Sequence, residues 1–491
     1  MSLKLSFPWL LMLLLASTTS AKLNNVPRLG IRWKNNPFAK PATPRKIVLD
    51  PVYYTQTLDH FNYGPNSNTT FPQRYLINSD FWGGAKTKSP IFAYLGAEQP
   101  ISDEALAAGF VFDIAPKFKA LIVFIEHRYY GESAPFGSLE KAFDDINSLG
   151  YFTSTQALAD YAEVIVSLKK NLSAEGSPVI VFGGSYGGML ASWFRLKYPH
   201  VAMGALGSSA PILYFEELTP IDQFFVTISN DFKCIDIIQE ASMNCYNTIK
   251  QSWAIFNKTA SQKNGLLTLS KKFNTCTRLK SLDELYGYFE NLYIKSAQYD
   301  APPSYPVNQL CSKIDSISKN TSDILNRMVS IVPKENCLNL TGDEGVDFDN
   351  LGWRWQRCTD VLFPLGINND NTMFPPMPFT YEELIENCRE IFGVTPRLHW
   401  TLTEFGGRDI KHVLKKFGSN IIFSNGLRDT WSRGGVLETI SDSVVAVVTK
   451  YGSHCLDLAA STEDDPKWLT HMRDAEVKIM KGWLAEYYRN T

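Results

Sequence analysis

A serine among glycines is the strongest candidate for chemistry in this sequence. Residues 183–188 read Gly-Gly-Ser-Tyr-Gly-Gly and place Ser185 in the pattern Gly-x-Ser-x-Gly. A strand-like apolar run at 178–182 comes directly before this pattern, and a helical run follows it. In that context the pattern predicts a nucleophile elbow, a strained strand-to-helix turn that exposes a serine for attack on a carbonyl carbon. The backbone N–H of Tyr186 is expected to stabilise the resulting oxyanion, with a second donor near residues 96–98.

A nucleophilic serine needs a base, and the base needs a carboxylate that orients it. In α/β-hydrolases these residues follow in the order serine, acid, histidine, on loops after later strands. Of the seven histidines, only His454 follows Ser185 and comes just after a strand-like run, at 443–448. Asp429 follows the preceding run of this kind, whereas Asp457 lies too close to His454 in sequence to orient it well. The sequence therefore predicts acyl transfer by Ser185, Asp429 and His454.

The elements that must position these residues form two blocks around a helical middle. Continuous apolar runs suit parallel strands that are buried on both faces, and they occur at 90–96, 120–125, 178–182, 205–207, 420–424 and 443–448. Helical periodicity at 153–171 between the second and third runs indicates a βαβ layout. The middle of the chain lacks such runs, shows helical periodicity and contains most of the cysteines. This pattern predicts an α/β-hydrolase fold with a largely helical, disulfide-stapled inserted domain.

The N-terminus has the pattern of a secretory signal peptide. A lysine at position 4 is followed by ten apolar residues at 7–16 and by small residues before position 22. No later run of 18 apolar residues follows, so we expect no membrane anchor. The resulting division of the chain is a signal peptide (1–21), a flexible lead-in or propeptide (22–50), the first part of the hydrolase domain (51–211), the insertion (212–400) and the second part of the hydrolase domain (401–491).

Two further features agree with export. The chain has glycosylation acceptors of the form Asn-x-Ser/Thr at Asn68, Asn171, Asn257, Asn320 and Asn339. Seven of its eight cysteines lie between 234 and 388, and the lack of any Cys-x-x-Cys pair favours disulfides over a zinc site. The formal net charge of -2 argues against nucleic acid as a partner, because phosphate binding needs a basic face. We expect a protein of the secretory pathway that acts in a lysosome, a vacuole or outside the cell.

Several motifs in the same order resemble the proline-specific serine peptidases, the family of lysosomal Pro-X carboxypeptidases and dipeptidyl peptidases, with the carboxypeptidases the nearer match. The similarity extends over nearly all of the chain after the signal peptide. Its motifs are Leu-Asp-His-Phe at 58–61, Phe-Pro-Gln-Arg-Tyr at 71–75, Glu-His-Arg-Tyr-Tyr-Gly-Glu-Ser at 126–133, the serine motif, the stretch 425–432 and the stretch 452–458.

The resemblance implies the same triad of Ser185, Asp429 and His454, and cleavage of peptides after proline, often at acidic pH. It implies that Met189 and Trp431 line the pocket for the proline ring, which suits a flat apolar slot. The mechanism needs no metal or cofactor. From family spacing the implied disulfides are Cys245–Cys311, Cys276–Cys337 and Cys358–Cys388, with Cys234 and Cys455 left over.

The sequence departs from the family pattern at three positions beside the site, and these leave the choice of substrate end open. Thr430 stands where proline is common, Cys455 where a second histidine is common, and Ala97 where asparagine is common. A carboxypeptidase reads a carboxylate, whereas a dipeptidyl peptidase needs a carboxylate such as Glu98 to read an ammonium group. The expectation is a Pro-Xaa carboxypeptidase acting on peptides. The alternatives are a dipeptidyl peptidase, an esterase or lipase, and a binding protein without activity, and the sequence does not decide between a monomer and a homodimer.

Overall fold

The structure is a computed structural model of the 491-residue chain. The residues that it describes are 27–30, 36–37, 48–65, 68–233, 242–318, 323–333, 336–340, 346–368 and 370–490. The predicted signal peptide, Cys234 and Asn320 lie outside the described residues. None of the helices in this part of the chain is both long enough and apolar enough to cross a membrane.

One eight-stranded sheet lies at the centre of the molecule, with the strand order β1-β2-β4-β3-β5-β6-β7-β8. The strand β2 runs antiparallel to both of its neighbours, β1 and β4. The strands β3 to β8 are all parallel to one another. The bounds are β1 Asp50–Thr57, β2 Thr70–Asn78, β3 Ile91–Leu95, β4 Leu121–Ile125, β5 Val179–Gly184, β6 Gly204–Ser208, β7 Ile421–Gly426 and β8 Val444–Thr449.

Helices cover both faces of this sheet. Their bounds are α1 Ile101–Ala107, α2 Gly109–Phe118, α3 Leu139–Asp144, α4 Ser154–Asn171, α5 Tyr186–Lys197, α6 Gln223–Asp231, α7 Met243–Ala260, α8 Gly265–Lys272, α9 Asp283–Gln298, α10 Pro306–Ser318, α11 Ile324–Ser330, α12 Phe348–Thr359, α13 Tyr381–Phe392, α14 Trp400–Phe405, α15 Ile410–Phe417 and α16 Lys467–Asn490. Thr153 caps α4 by accepting a hydrogen bond from the Gln156 N–H.

The central strands are buried on both faces, as their unbroken apolar sequences predict. Side chains alternate between two cores because successive residues of a strand point to opposite faces. In β3, Ala93 lies in one apolar cluster with α4 and α5, and Phe92 lies in the other with α2 and α16. The sheet with its strained serine turn is an α/β-hydrolase fold, which confirms the predicted fold class.

The prediction from sequence missed the first two strands. β1 alternates exposed and partly buried residues and pairs with β2 along its whole length, from Asp50 opposite Ile77 to Thr57 opposite Thr70. A half-exposed antiparallel pair lacks the continuous apolar run by which the inner strands were recognised. Only the eight-residue register with β2, which itself pairs with β4, joins β1 to the sheet.

The chain between β6 and β7 is helical, from α6 to α15, and it lies over the sheet rather than apart from it. Trp253 on α7 and Phe289 on α9 belong to the same apolar cluster as Met189 on α5. Three disulfides join parts of this region: Cys245–Cys311, Cys276–Cys337 and Cys358–Cys388. They are the pairs that the resemblance implied. The exact domain boundaries at 212 and 400 stay a prediction.

Candidate active site

Ser185 lies at the turn between β5 and α5 with φ 60° and ψ −121°, a conformation that is rare for a residue with a side chain. The Ser185 N–H donates to the Ser208 carbonyl at the end of the adjacent strand β6 at 2.8 Å. The turn is tight because a Cβ at Gly183 would lie 2.0 Å from the Gly187 carbonyl oxygen. Strain at a fixed, buried serine is typical of a nucleophile elbow.

The three residues of the predicted triad meet in one chain of hydrogen bonds. The Ser185 Oγ lies 2.7 Å from His454 Nε2, and His454 Nδ1 lies 2.8 Å from Asp429 Oδ1. All three side chains are buried. Ser185 comes from the end of β5, Asp429 from the loop after β7 and His454 from the loop after β8, so parallel strands deliver all three to one edge of the sheet. A nucleophile, a base and an orienting acid are thus within bonding distance.

Backbone contacts hold the acid and the base in these positions. Asp429 Oδ1 also accepts from the Trp431 N–H at 3.0 Å, and the Asp429 N–H donates to the Gly426 carbonyl. The His454 N–H donates to the carbonyl of Gln298 at the end of α9. Burial lowers the pKa of His454, but the adjacent Asp429 carboxylate outweighs it, so the pKa lies well above its ordinary value. Asp429 therefore stabilises the imidazolium that forms when His454 accepts a proton.

Asp457, the competitor for the orienting role, has other partners. Its Oδ1 accepts from the Ser208 hydroxyl at 2.6 Å, and its carbonyl accepts from the Arg473 side chain on α16. The structure thus places Asp429, and not Asp457, against His454.

The loop after β3 lies beside the triad, and two of its N–H groups donate to other parts of the protein. Gly96 donates to the Ile125 carbonyl at 2.9 Å, and Ala97 donates to the Glu104 carboxylate at 2.7 Å. The Glu98 side chain is fully buried, and its only nearby donors among the described residues are the backbone N–H groups of Glu98 itself and of Leu29, neither in good hydrogen-bond geometry. Burial raises the pKa of Glu98, against the opposing charges of Arg28 and His454.

Met189 and Trp431, the predicted proline-pocket residues, are both within reach of the triad. Met189 is one turn beyond the nucleophile, and its N–H donates to the Ser185 carbonyl at 2.9 Å. Trp431 follows Asp429 by two residues, and its ring packs against the aromatic rings of Tyr214, Phe224 and Phe363. Both side chains are buried, and both belong to one apolar cluster.

The sequence analysis did not identify the charged support next to Asp429. Arg428 is mostly buried and pairs with Asp231 at the end of α6 and with Asp300 just after α9. Burial raises the pKa of Asp231 to about 8, which the Arg428 charge opposes. No sequence signal connects these residues, because the partners lie more than a hundred residues from Arg428 and only the fold brings them together.

The remaining predicted residues are the glycosylation acceptors, which lie at the surface, and Cys455, which lies beside the triad. Asn68, Asn171, Asn257 and Asn339 are exposed, as carbohydrate attachment requires. Cys455, directly after His454, is a free and buried cysteine, and burial raises the pKa of its thiol.

One prediction was wrong for part of the lead-in. The segment 27–30 was expected to be without structure, yet Leu29 and Gly30 are buried in the site. The Leu29 carbonyl oxygen lies 3.2 Å from His454 Nε2. Composition alone gave no sign of this, because the polar and proline-rich surroundings are typical of a linker.

A strained serine, a histidine and an aspartate at the edge of an α/β-hydrolase sheet define a serine hydrolase. Comparison with known proteins narrows this class. The chain matches the family described as "Serine carboxypeptidase S28" over residues 56–476. It therefore belongs to that family.

The relatives cover nearly the whole chain. Human "Lysosomal Pro-X carboxypeptidase" is 36% identical over 478 residues, which cover 94% of this chain and 92% of the human protein. "Prolyl carboxy peptidase like protein 5" of Caenorhabditis elegans is 31% identical and covers 91% of this chain and 90% of its own length. Human "Thymus-specific serine protease" is 29% identical, with 90% and 88% covered.

Proposed function

We propose that this protein is a serine exopeptidase that releases the C-terminal residue of peptides whose penultimate residue is proline. The observation that carries the proposal is the hydrogen-bonded chain from Ser185 through His454 to Asp429, within a family of serine carboxypeptidases. The names of the relatives that match over most of the chain support proline as the residue before the cleaved bond.

The geometry supports an acyl-enzyme mechanism. Ser185 Oγ attacks the prolyl carbonyl carbon while His454 Nε2 takes its proton, and Asp429 stabilises the imidazolium. The imidazolium then gives this proton to the leaving nitrogen of the C-terminal residue as the C–N bond breaks. Water attacks the acyl-enzyme with His454 again as the base, which releases the peptide with proline at its new end.

The oxyanion of this reaction needs two donors. The Tyr186 N–H, at the start of α5, is the first, and the positive end of the helix dipole adds to it. We expect the second donor from the loop after β3, near residues 96–98, where the N–H groups of Gly96 and Ala97 already donate elsewhere.

We expect the proline ring to pack against Met189 and Trp431, which belong to one apolar cluster beside the triad. Aromatic rings around Trp431 fix the orientation of its indole, and the indole Nε1 donates to the Gln298 side chain at 3.3 Å. A rigid, flat and apolar wall suits proline better than a flexible or charged side chain.

The buried Glu98 carboxyl group counts against a dipeptidyl peptidase. Burial raises its pKa, because the charged form loses the solvation that water gives it. An N-terminal ammonium group is bound best by an ionised carboxylate, and a carboxyl group buried in this way is a poorer partner for it.

The structure is also consistent with the predicted compartment. Disulfides persist in oxidising compartments, and three are present in the helical region. We propose that the protein passes through the secretory pathway and acts in a lysosome or vacuole or outside the cell. A homodimer stays a prediction.

Product identification by mass spectrometry tests the proposed activity. The purified protein and its Ser185→Ala variant are compared at mildly acidic pH on peptides that end in Pro-Phe and on peptides that begin with Lys-Pro. We expect loss of one C-terminal Phe, with a rate about 10⁶-fold lower in the variant. A melting curve shows that the variant is folded.

Other products would identify a different enzyme on the same fold. Release of the dipeptide Lys-Pro would make the protein a dipeptidyl peptidase. Hydrolysis of simple esters without any cleavage of proline peptides would make it an esterase.

A further inference from the structure

Four residues of the N-terminal lead-in lie across the triad and are bound by side chains of the enzyme. Every carbonyl oxygen of the segment 27–30 accepts or faces a side-chain donor. Trp353 Nε1 donates to the Pro27 carbonyl at 3.2 Å, Gln298 Nε2 to the Arg28 carbonyl at 3.1 Å, and the Tyr299 hydroxyl to the Gly30 carbonyl. The remaining carbonyl, that of Leu29, faces His454 Nε2.

Contacts of this kind are those by which a protein binds the main chain of a peptide. Trp353 lies on α12, and Gln298 and Tyr299 lie at the end of α9, so the donors come from the helical region above the sheet. Donors aimed at successive carbonyls bind an extended peptide with little regard to its sequence. A groove that must accept many peptides with one fixed proline needs donors of this kind.

Two side chains of the segment anchor it further. The Arg28 side chain donates to the Glu98 carbonyl at 2.8 Å and lies about 4 Å from the carboxylates of Asp347 and Asp349. Leu29 is fully buried, in the same apolar cluster as Met189 and Trp431. The segment is therefore held by its main chain, by charge and by apolar burial.

The position of Leu29 is incompatible with catalysis. Its carbonyl oxygen lies 3.2 Å from His454 Nε2, the atom that must take the proton of Ser185 at 2.7 Å. A carbonyl oxygen only accepts hydrogen bonds, so this contact is favourable when Nε2 carries a proton, and a protonated His454 is no base. The oxygen faces the base rather than the oxyanion donors, so the segment is not placed for cleavage.

We propose that Trp353, Gln298 and Tyr299 form the groove that binds the main chain of peptide substrates, and that residues 27–30 occupy this groove as an intramolecular inhibitor. The proposal rests on the proposed function for the identity of the substrate. Substrate and segment compete for the same groove, so the segment slows the enzyme, and the rate of peptide cleavage rises when the segment is displaced or cut away.

Labelling of Ser185 by a fluorophosphonate reports directly on access to the triad. The labelling rate and the rate of Phe release from a Pro-Phe peptide are measured for the full chain and for its Arg28→Ala and Leu29→Asp variants. Intact-mass analysis verifies that the N-terminal segment is still attached. We expect both variants to label at least about tenfold faster, because each loses a charged hydrogen bond or an apolar anchor of the segment.

Two controls separate release of the segment from general loosening. Leu106→Ala changes an exposed leucine on α1 and should leave the labelling rate unchanged. The peptide acetyl-Pro-Arg-Leu-Gly-amide, added to the Arg28→Ala variant, should slow its labelling in competition with the probe. Melting curves show that each variant is folded, and the peptide tests the groove even where the Leu29→Asp variant does not fold.

The labelling rate and the release of Phe distinguish the inhibitory role of the segment from the proposed carboxypeptidase activity. Equal labelling rates for the full chain and folded Arg28→Ala, with no effect of the added peptide, would overturn the inhibitory role. Faster labelling without release of Phe would support that role and contradict the proposed carboxypeptidase activity.

Discussion

Asp429 and Asp457 were the two candidates for the acid that orients His454, and they differ in what they touch. Both are buried aspartates on loops near His454, but Asp429 accepts from the imidazole and Asp457 accepts from the Ser208 hydroxyl. Asp457 is nearer to His454 in sequence, so sequence distance alone would favour Asp457 as the orienting acid. Chain order and the position of strands, not closeness in sequence, identified the orienting acid.

Replacing Asp429 by asparagine should remove most of the activity while leaving the fold intact. Asparagine has nearly the same shape, but it cannot stabilise the imidazolium and favours the wrong tautomer of His454. We expect kcat for Phe release to fall about 10⁴-fold with KM nearly unchanged. Steady-state kinetics on a Pro-Phe peptide measures both quantities.

The matched control is Asp457→Asn. It makes the same chemical change on the neighbouring loop, where the carboxylate accepts from Ser208 rather than from the base. A fall in kcat as large as that of Asp429→Asn would contradict our assignment of the orienting acid.

Residues that act through long-range contacts were beyond sequence reasoning. Gln298 meets Arg28 across 270 positions, and Trp353 meets Pro27 across 326. A glutamine or tryptophan in a helical segment has no motif that marks it, and its ordinary role is packing or solvation. The triad could be predicted because its residues follow strands in a fixed order, and that order is written in the sequence.

At the scale of elements, the buried strands and the serine turn were the most predictable parts of the fold. β3, β4 and β5 have every residue buried, so their apolar sequences are unbroken, and the prediction matched each to within two residues. β1 has a mixed surface and depends on its partner β2, which local sequence does not reveal. The type of the helical region was predictable from its periodicity, whereas its position over the active site was implied only by the family resemblance.

The close approach of β5 and α5 should make Gly183 irreplaceable. A methyl group there would lie 2.0 Å from the Gly187 carbonyl oxygen, and the obstacle is backbone rather than a flexible side chain. We expect Gly183→Ala to lower the free energy of unfolding by about 3 kcal/mol and to displace Ser185. Chemical denaturation and fluorophosphonate labelling measure the two effects.

Gly176→Ala is the control for this variant, because it lies in the turn just before the same strand. There the nearest atoms belong to the flexible Lys88 side chain at 3.5 Å, an ordinary contact. Its stability should stay within about 0.5 kcal/mol of the unchanged protein. Equal effects of the two substitutions would show that the tight turn does not limit this position.

For the whole molecule, buried titratable groups link stability to pH. Burial raises the pKa of Asp231 to about 8. Burial lowers the pKa of His60, but hydrogen bonds to Asp160 and Glu163 outweigh it and raise the value to about 9. Burial lowers the pKa of His127 to about 4. The folded protein thus binds protons at Asp231 and His60 that the unfolded chain releases, and it excludes one at His127.

The signs of these shifts predict a loss of stability above neutral pH. A raised folded pKa stabilises the protein below the unfolded pKa and ceases to do so as pH rises through the folded pKa. For His60 this loss occurs between about 6.5 and about 9, and for Asp231 between about 4 and about 8. His127 acts in the opposite sense, but only between about 4 and about 6.5, so above that range nothing from it offsets the loss.

Thermal unfolding followed from pH 6.5 to pH 9 should therefore show a steadily falling melting temperature. The Asp231→Asn variant, which keeps an acceptor for Arg428 but cannot ionise, should lose less stability between pH 6.5 and pH 8 than the unchanged protein. His60→Gln should flatten the curve up to pH 9 in the same way, because its amide carries no proton that titrates. Parallel curves for all three proteins would mean that these two groups do not control the pH dependence, whereas two flatter curves would show that the fold itself is adapted to acidic surroundings.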